Sequence, residues 1–211
     1  MADGRMNRQR GKLFVVAAPS GAGKTSLVRA LMKRLPELKF SISYTTRRMR
    51  ETEQHGRDYF FVDRQEFDRM VDNREFLEHA QVFDNCYGTA RAQVESMLEK
   101  GENVLLEIDW QGAQQVRRAM PECRSIFILP PSREALEQRL RGRATDSDDV
   151  IARRLRDSIA DMSHWNEFDY VVINDDFERA TSDLEAIASG HGEHLTPSRS
   201  EIQTLVNGLL G

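Results

Sequence analysis

The fold of this chain is decided by the stretch Ala18-Pro19-Ser20-Gly21-Ala22-Gly23-Lys24-Thr25. An apolar run at residues 13–17 precedes it, and a helical pattern with Leu27, Leu31 and Leu35 on one face follows it. A strand, a glycine-rich turn and a Gly-Lys-Thr that opens a helix are the context that a phosphate-binding loop requires. We therefore predict that these eight residues form the binding site for the phosphates of a nucleoside triphosphate.

The residue types in this loop suit an anion. Gly21 and Gly23 let the backbone curl so that several N–H groups point at one phosphate, and the start of the helix adds partial positive charge. Lys24 can reach the β- and γ-phosphates, and the Thr25 hydroxyl can bind Mg²⁺. Ala18 replaces the usual first glycine and leaves the rest of the anion site in place. The alternative, a glycine-rich hairpin with a solvated lysine, is disfavoured by the flanking strand and helix.

Composition limits the class of protein. The chain has 211 residues, 39% of them hydrophobic, which is enough for one α/β domain with small insertions. A net charge of −4 provides no basic field for nucleic acid, and no apolar run approaches a membrane span. Cys86 and Cys123 lack metal-site spacing and fit a reducing compartment. Residues 1–10 are polar and lack a secretory core, so we expect a flexible tail and a cytoplasmic protein.

Short apolar runs alternate with amphipathic helical patterns, which predicts a parallel sheet flanked by helices. Four of the runs are almost continuously apolar, as strands buried on both faces are. The predicted strands are residues 13–17, 40–44, 59–62, 75–82, 104–109, 125–129 and 170–173. The predicted helices are residues 24–35, 65–73, 91–100, 112–120, 132–141, 147–167 and 177–189. Ser132 is expected to cap one helix and Gly101 to end another.

Two stretches depart from this alternation. Residues 41–90 hold several short strands and one short helix, which indicates an insertion on a small mixed sheet. The charged stretch at residues 141–149 lies between two helices and could be part of a mobile lid over residues 139–154, or a solvated connector. We predict one domain at residues 11–190, with its core at 11–40 and 91–190. Residues 191–211 form a partly helical tail that packs on the domain or on a neighbouring subunit of a homo-oligomer.

The insertion contains residue types that suit a phosphate monoester. Arg47 and Arg50 lie three apart near Ser43 and Tyr59, and a phosphate dianion favours guanidinium forks together with hydroxyl donors. Further on come Phe76-Leu77-Glu78 and Asn85-Cys86-Tyr87-Gly88-Thr89.

With these motifs in this order, residues 11–189 resemble the guanylate kinase family, and the bacterial members most. The resemblance implies a P-loop sheet with a GMP-binding insertion, and transfer of the γ-phosphate of ATP to GMP with Mg²⁺ as cofactor. It also implies dGMP as a further acceptor and a role in purine nucleotide metabolism. The partners are then two small molecules, ATP and GMP, with no nucleic acid and no membrane.

The resemblance implies the roles of individual residues in the GMP site. It places the GMP phosphate against Ser43, Arg47, Arg50, Tyr59 and Tyr87. It puts Glu78 and Thr89 at the guanine base, with Gly88 and Glu107 also in the GMP site. A carboxylate accepts from both N1–H and the 2-amino group of guanine, whereas adenine offers neither donor. An edge-strand surface charge is the alternative for Glu78. Met49 and Thr52 stand where the family usually has Pro and Gly, so the loop after Arg47 is expected to be more mobile.

The catalytic groups are expected at strand ends and in the lid. Residues 104–109 are an apolar strand that ends in acids, and Glu107 and Asp109 are expected on the same side of it. Either can hold Mg²⁺ with Thr25, and we favour Asp109 because the family usually has Asp where Glu107 stands. The resemblance makes Arg139, Arg143 and Arg154 phosphate-contacting arginines that act with Lys24 and Arg50 as catalytic residues. It also places Asn174 and Asp175 near the ATP adenine, with capping of the next helix as the alternative.

Two other functions remain open at this stage. Guanylate-kinase-like domains also serve as non-catalytic interaction modules, but those typically lose P-loop or lid residues that are present here. A related kinase for a small metabolite would not need Glu78 or Thr89. An assay of purine monophosphates as acceptors would separate these functions.

Overall fold

The structure is a computed structural model that describes residues 9–82, 84–142 and 148–211. The strands are β1 Leu13–Ala17, β2 Lys39–Phe40, β3 Tyr44–Thr45, β4 Phe60–Phe61, β5 Phe76–Val82, β6 Asn85–Ala90, β7 Val104–Glu107, β8 Arg124–Leu129 and β9 Tyr170–Ile173. The helices are α1 Lys24–Arg34, α2 Arg64–Asp72, α3 Arg91–Glu99, α4 Trp110–Ala119, α5 Arg133–Arg141, α6 Asp148–Met162, α7 Phe177–Ser189 and α8 Ser200–Leu210. Two 3₁₀ turns, Trp165–Glu167 and Glu193–Leu195, complete the described elements.

Five parallel strands form the main sheet in the order β2-β7-β1-β8-β9, with β1 at the centre. Val16 of β1 is in register with Glu107 of β7. The loop at residues 18–23 leaves the carboxyl end of the central strand, which is where parallel sheets bind their ligands. The predicted α/β fold with a parallel sheet is confirmed.

The alternation along the central strands divides the core into two layers. Phe14 and Val16 point to a cluster formed with α1 and α7, which includes Leu27, Leu31 and Leu184. The alternate residues of the same strands point to a second cluster with α3 to α6 and α8. Because both faces are covered, the strands are apolar throughout, as the sequence indicated.

A second, four-stranded sheet has the order β4-β3-β6-β5. Its β3–β4 pair is parallel, and its other two pairs are antiparallel. Helix α2 packs Phe67 and Met70 against Phe76 and Cys86 of this sheet. This is the mixed sheet that the sequence predicted between the P-loop helix and residue 90. The predicted domain boundaries themselves stay a prediction.

Helix boundaries follow local capping chemistry. Ser132 accepts a hydrogen bond from the Ala135 backbone N–H at 3.1 Å, so its predicted N-cap role is confirmed. Asp63 and Asp176 cap α2 and α7 in the same way. Gly101 follows the end of α3 with a φ of 80°, a left-handed conformation that favours glycine.

Several predicted elements are corrected by the structure. The predicted strand at residues 40–44 is wrong as a unit, since β2 belongs to the main sheet and β3 to the second sheet. Strand β6 was not predicted because its polar, glycine-containing sequence lacks an alternating pattern. Helix α6 ends at Met162, and a separate 3₁₀ turn follows it. Strand β7 ends at Glu107, two residues earlier than predicted.

The carboxyl-terminal segment is part of the core. Ile202, Val206 and Leu209 of α8 are buried in the same cluster as α6, and Arg133 donates a hydrogen bond from Nε to the Leu209 carbonyl at 2.6 Å. Of the two packing alternatives that the sequence left open, the structure shows packing on the domain. Throughout the described ranges, helices with the length and apolar character needed to traverse a bilayer do not occur.

Candidate active site

The loop after β1 has the shape of an anion-binding turn. Gly21 and Gly23 have φ values of 87° and 92°, and Gly23 directly precedes α1. A Cβ on Gly23 would lie 2.3 Å from Asn174 Nδ2. That amide donates a hydrogen bond to the Ala22 carbonyl at 2.7 Å. Glycine at position 23 is therefore required both by its backbone angle and by the close approach of Asn174.

Two further side chains hold the same loop from other elements. Arg139 of α5 donates from Nη2 to the Asn174 carbonyl at 2.8 Å and from Nη1 to the Ala22 carbonyl at 3.4 Å. Ser158 of α6 donates from its hydroxyl to the Ser20 carbonyl at 3.1 Å. The loop is thus tied to α5, to α6 and to the segment after β9. The sequence did not single out Ser158, which lacks any motif of its own.

Lys24 and Thr25 reach the neighbouring strand. Lys24 Nζ donates a hydrogen bond to the Ile108 carbonyl at 2.5 Å, and the Thr25 hydroxyl contacts the Glu107 carboxylate. The in-register pairing of β1 with β7 explains this contact, because it brings the end of β7 beside the start of the loop.

Asp109 has a different environment from the one predicted. It lies beyond the end of β7 and caps α4, accepting the Gly112 backbone N–H at 2.7 Å. Strand alternation does not set the direction of its side chain, because β7 ends at Glu107. Glu107 is the acid that contacts Thr25, whereas Asp109 lines the adjoining cavity.

A cavity of about 540 Å³ opens beside the loop. Its walls come from the P-loop, the end of β5, the start of α4 and helix α6. They are Ala18, Pro19, Ser20, Gly21, Gly23, Lys24, Thr25, Ser26, Gln81, Val82, Asp109, Trp110, Gln111, Arg153, Arg154, Asp157, Ser158 and Asp161. Arg154 lines the same cavity as the P-loop residues, and its predicted contact with a phosphate stays a prediction. Trp110 and Asp161, which hydrogen-bond to each other at 2.9 Å, were not predicted.

A smaller cavity of about 320 Å³ also borders the loop and shares Gly21, Gly23 and Ser26 with the first. It is lined by Gly21, Gly23, Ser26, Arg139, Asn174, Asp175 and Phe177. Asn174 and Asp175 thus lie beside the P-loop, while Asp176 is the residue that caps α7. Capping of the next helix is confirmed for Asp176, and a role of Asn174 and Asp175 at the ATP adenine stays a prediction. Arg143, predicted as a lid arginine, lies outside the described residues.

The second sheet carries a cluster of cationic and aromatic side chains. The Arg47 guanidinium lies 5.4 Å from the centre of the Tyr59 ring, and the Tyr59 and Tyr87 rings meet edge to face at 6.0 Å. Arg47 also forms an ion pair with Glu53 at 2.8 Å, a partner that the sequence did not reveal. Burial raises the pKa of the Tyr59 hydroxyl, and the Glu107 charge adds to this effect. Glu107 is thus close to both the P-loop and this cluster.

Glu78 is buried, with 3% of its surface exposed. Its register partner is Thr89, whose hydroxyl donates to Glu78 Oε1 at 2.6 Å. Ser43 Oγ lies 3.5 Å from the same Thr89 hydroxyl. Burial raises the pKa of Glu78 to about 7, while the bond from Thr89 lowers it and the nearby Asp109 charge raises it further. An edge-strand surface charge, the alternative for Glu78, is therefore wrong.

Two predicted GMP-site residues have other contacts in the structure. A Cβ on Gly88 would lie 2.9 Å from the Phe76 ring, so its lack of a side chain serves packing within the second sheet. Arg50 donates its backbone N–H to Glu53 Oε2 at 2.9 Å and is exposed.

Two features define a P-loop nucleotide-binding protein. One is the parallel sheet with β1 at its centre, and the other is the glycine-containing loop that leads into Lys24 and Thr25. Residues 10–190 match the family model described as guanylate kinase. A guanylate kinase of Methylococcus capsulatus is 54% identical over 202 residues, which cover 96% of this chain and 99% of that protein. One of Chromohalobacter salexigens is 51% identical over 201 residues, covering 95% and 94%.

Among solved structures, the crystal structure of guanylate kinase from Anaplasma phagocytophilum matches with a TM-score of 0.73 and 36% identity. The match covers 88% of each chain. The chain belongs to the guanylate kinase family, a family of kinases.

Proposed function

We propose that this protein transfers the γ-phosphate of ATP to GMP, giving ADP and GDP, and so serves purine nucleotide metabolism. The observation that carries the proposal is the position of Glu107. Its carboxylate contacts Thr25 of the P-loop, and its charge acts on Tyr59 in the second sheet. A donor phosphate on the loop and an acceptor phosphate at the Arg47–Tyr59 cluster would therefore be neighbours.

The donor site is the P-loop with its two cavities. The backbone N–H groups of residues 20–25 bind the phosphates, and Lys24 exchanges its bond to the Ile108 carbonyl for the γ-phosphate. The smaller cavity takes the adenosine, bounded by Arg139, Asn174 and Asp175. Since Arg139 and Asn174 also bond the loop backbone, they couple adenosine binding to the shape of the phosphate site.

The residues present fit a bound Mg²⁺ ion. Thr25 and Glu107 bring a hydroxyl and a carboxylate oxygen together at the P-loop, and Mg²⁺ prefers one or two such ligands plus substrate phosphates. Within the described ranges no larger group of His, Cys, Asp or Glu forms a metal site. We propose Thr25 with Glu107 as the holding residues and Asp109 as a second, more distant acid. The ion would neutralise charge on the transferred phosphoryl group.

The acceptor site lies on the second sheet. Arg47, Arg50, Tyr59 and Tyr87 bind the GMP phosphate with Ser43, and in-line transfer to an already anionic oxygen needs little base assistance. Catalysis is then positioning together with charge stabilisation by Lys24 and the arginines of α5 and α6, Arg139 and Arg154. We include Arg143 in this group on sequence grounds alone.

Glu78 selects the base. Its carboxylate accepts from N1–H and the 2-amino group of guanine, while Thr89 holds the carboxylate in place. Adenine lacks both donors, so an AMP complex would leave a buried carboxylate unpaired. The 2′-hydroxyl has no partner in this proposal, so dGMP is accepted as well.

A coupled assay with ATP and Mg²⁺ against GMP, dGMP, IMP and AMP tests this function. We expect turnover of GMP and dGMP, weak turnover of IMP and little of AMP. Lys24→Ala should lower kcat by at least about 10²-fold, because one preorganised charge-stabilising donor has an effect of that size. Robust turnover of AMP, or none of any purine monophosphate, would contradict the proposal.

A further inference from the structure

The loop that follows β3 contains a closed set of hydrogen bonds centred on Glu53. Its Oε1 accepts from Arg47 Nη2 at 2.8 Å, and its Oε2 accepts from Arg47 Nη1 at 3.1 Å. Oε2 also accepts the Arg50 backbone N–H at 2.9 Å, and the Glu53 N–H returns to the Arg50 carbonyl at 3.1 Å. Both carboxylate oxygens are thus used within a loop of seven residues.

This ion pair is shielded from solvent. The Arg47 side chain is 17% exposed and that of Glu53 is 13% exposed, unlike the exposed Glu51 in the same loop. The hydrogen bond with Glu53 is the largest cause that raises the pKa of Arg47, and the same bond is the largest cause that lowers the pKa of Glu53. Both groups are therefore held in their charged forms.

The pairing with Glu53 occupies one side of the Arg47 guanidinium. Glu53 takes the Nη1–Nη2 edge, and Nη1 also donates to the Arg48 carbonyl at 2.8 Å. Tyr87 is a further hydrogen-bond partner of the Arg47 side chain, and the Nε–Nη2 edge is not used by Glu53. The ring faces of Tyr59 and Phe61, at 5.4 and 5.8 Å, restrict the plane of the guanidinium. A planar fork presents a second bidentate edge when the first is occupied.

We propose that Glu53 is a positioning residue for the acceptor phosphate. It holds one edge of the Arg47 guanidinium so that the other edge meets the GMP phosphate. This inference rests on the proposed function, since it names how the acceptor site is organised. Glu53 is a fixed brace and does not leave when the phosphate arrives, because Arg47 and the Arg50 N–H hold its carboxylate together.

The opposite role makes an opposite prediction. If Glu53 were a stand-in that the phosphate displaces, its removal would strengthen GMP binding. Simple electrostatics point the same way, because neutralising a carboxylate near a dianion reduces repulsion. If Glu53 positions Arg47, removal of Glu53 should weaken GMP binding. The Arg47 side chain then loses order that GMP binding must restore. The sign of the change in GMP affinity therefore decides between the two roles.

The test compares Glu53→Gln with Glu51→Gln, which makes the same charge change at an exposed position of the same loop. GMP and guanosine binding are measured by calorimetry, and KM and kcat by the coupled assay. For Glu53→Gln we expect GMP affinity to fall about tenfold, since charge-assisted hydrogen bonds are roughly twice as strong as neutral ones. Guanosine affinity, kcat and the KM for ATP should stay within about twofold. Glu51→Gln should leave GMP binding unchanged or slightly tighter.

A double-mutant cycle tests whether Glu53 acts through Arg47. In an Arg47→Ala background, Glu53→Gln should cause no further loss of GMP affinity. Three outcomes would contradict a positioning role of Glu53. They are tighter GMP binding by Glu53→Gln, an equal loss of guanosine affinity, and full additivity of Glu53→Gln with Arg47→Ala. Wild-type protein that binds GMP but forms no GDP would contradict the proposed function alone, because the binding comparison does not require turnover.

Discussion

At the scale of the residue, Glu78 is a buried carboxyl that bears on the stability of the protein and, in the proposed function, on its choice of base. Its carboxylate accepts a hydrogen bond from the Thr89 hydroxyl and lies close to the charge of Asp109. Burial raises its pKa from 4.5 to about 7. The folded protein therefore binds a proton at the Glu78 carboxyl more tightly than the unfolded chain does. The associated stability is present below pH 4.5 and is lost as the pH rises through 7.

Glu78→Gln should stabilise the free protein at pH 8 and weaken its binding of GMP. The amide removes the cost of a buried anion, which amounts to at most ~3 kcal/mol for a pKa shift of this size. It also places a donor against the N–H groups of guanine. Denaturant unfolding between pH 5 and pH 8 should show the stability difference between variant and wild type increasing with pH.

Calorimetry with GMP and ATP completes this test. GMP affinity should fall by at least about tenfold, with ATP affinity unchanged. Wild-type GMP affinity, taken relative to that of the variant, should decline as the pH drops below 7 and Glu78 becomes protonated. Glu122→Gln, an exposed carboxylate, is the control and should change neither property. Equal losses of GMP and ATP affinity would argue against a base-reading role.

At the scale of the element, α8 behaves as a core helix. Its buried face lies in the cluster that also contains Ile151 and Met162 of α6. Helix α6 in turn lines the larger cavity with Arg154 and bonds the P-loop through Ser158. The carboxyl-terminal helix therefore supports the helix that carries candidate catalytic groups.

Leu209→Ala should lower the free energy of unfolding by about 2–5 kcal/mol, the usual cost of a leucine-sized cavity in a core. Its neighbour Leu210 is the matched control, because the two leucines are 1% and 37% exposed. Leu210→Ala should change stability by no more than about 0.5 kcal/mol. Urea unfolding of both variants checks this, and similar effects at the two positions would contradict the assignment of α8 to the core.

At the scale of the whole molecule, the two sheets carry the two proposed anion-binding clusters. Glu107 at the end of β7 contacts the P-loop and influences Tyr59 across the joint between the sheets. Ser41 lies where the chain passes from the main sheet to the second sheet. Its N–H donates a hydrogen bond to the Leu105 carbonyl of the main sheet, shortly before β3 begins.

A ligand that joins adenosine and guanosine through five phosphates should bind at least about 10²-fold more tightly than ATP or GMP alone. The second half of such a ligand binds at a high effective concentration if both sites are adjacent. Calorimetry provides the measurement, and a two-phosphate analogue, too short to reach both sites, is the control. Affinity no better than that of ATP would place the sites too far apart for direct transfer.

Much of the fold could be predicted because its signals are local. The apolar runs of the main sheet and the cap at Ser132 depend on residues close in sequence. The two-residue strands β2 and β3 could not be separated, because the change from one sheet to the other has no pattern in residues 40–44. Strand β6 was missed for a similar reason, since its pairing with β5 is what makes it a strand.

The sequence by itself determined the P-loop, the parallel sheet and the residue types of both proposed anion sites, because glycine placement, hydrophobic period and charge act over a few residues. Only the tertiary structure decided that Glu107 is the acid at Thr25, that Glu53 holds Arg47 and that Glu78 is buried. Those outcomes depend on strand register, on where β7 ends and on what covers each side chain. Such contacts join segments far apart in the chain, and no local pattern encodes them.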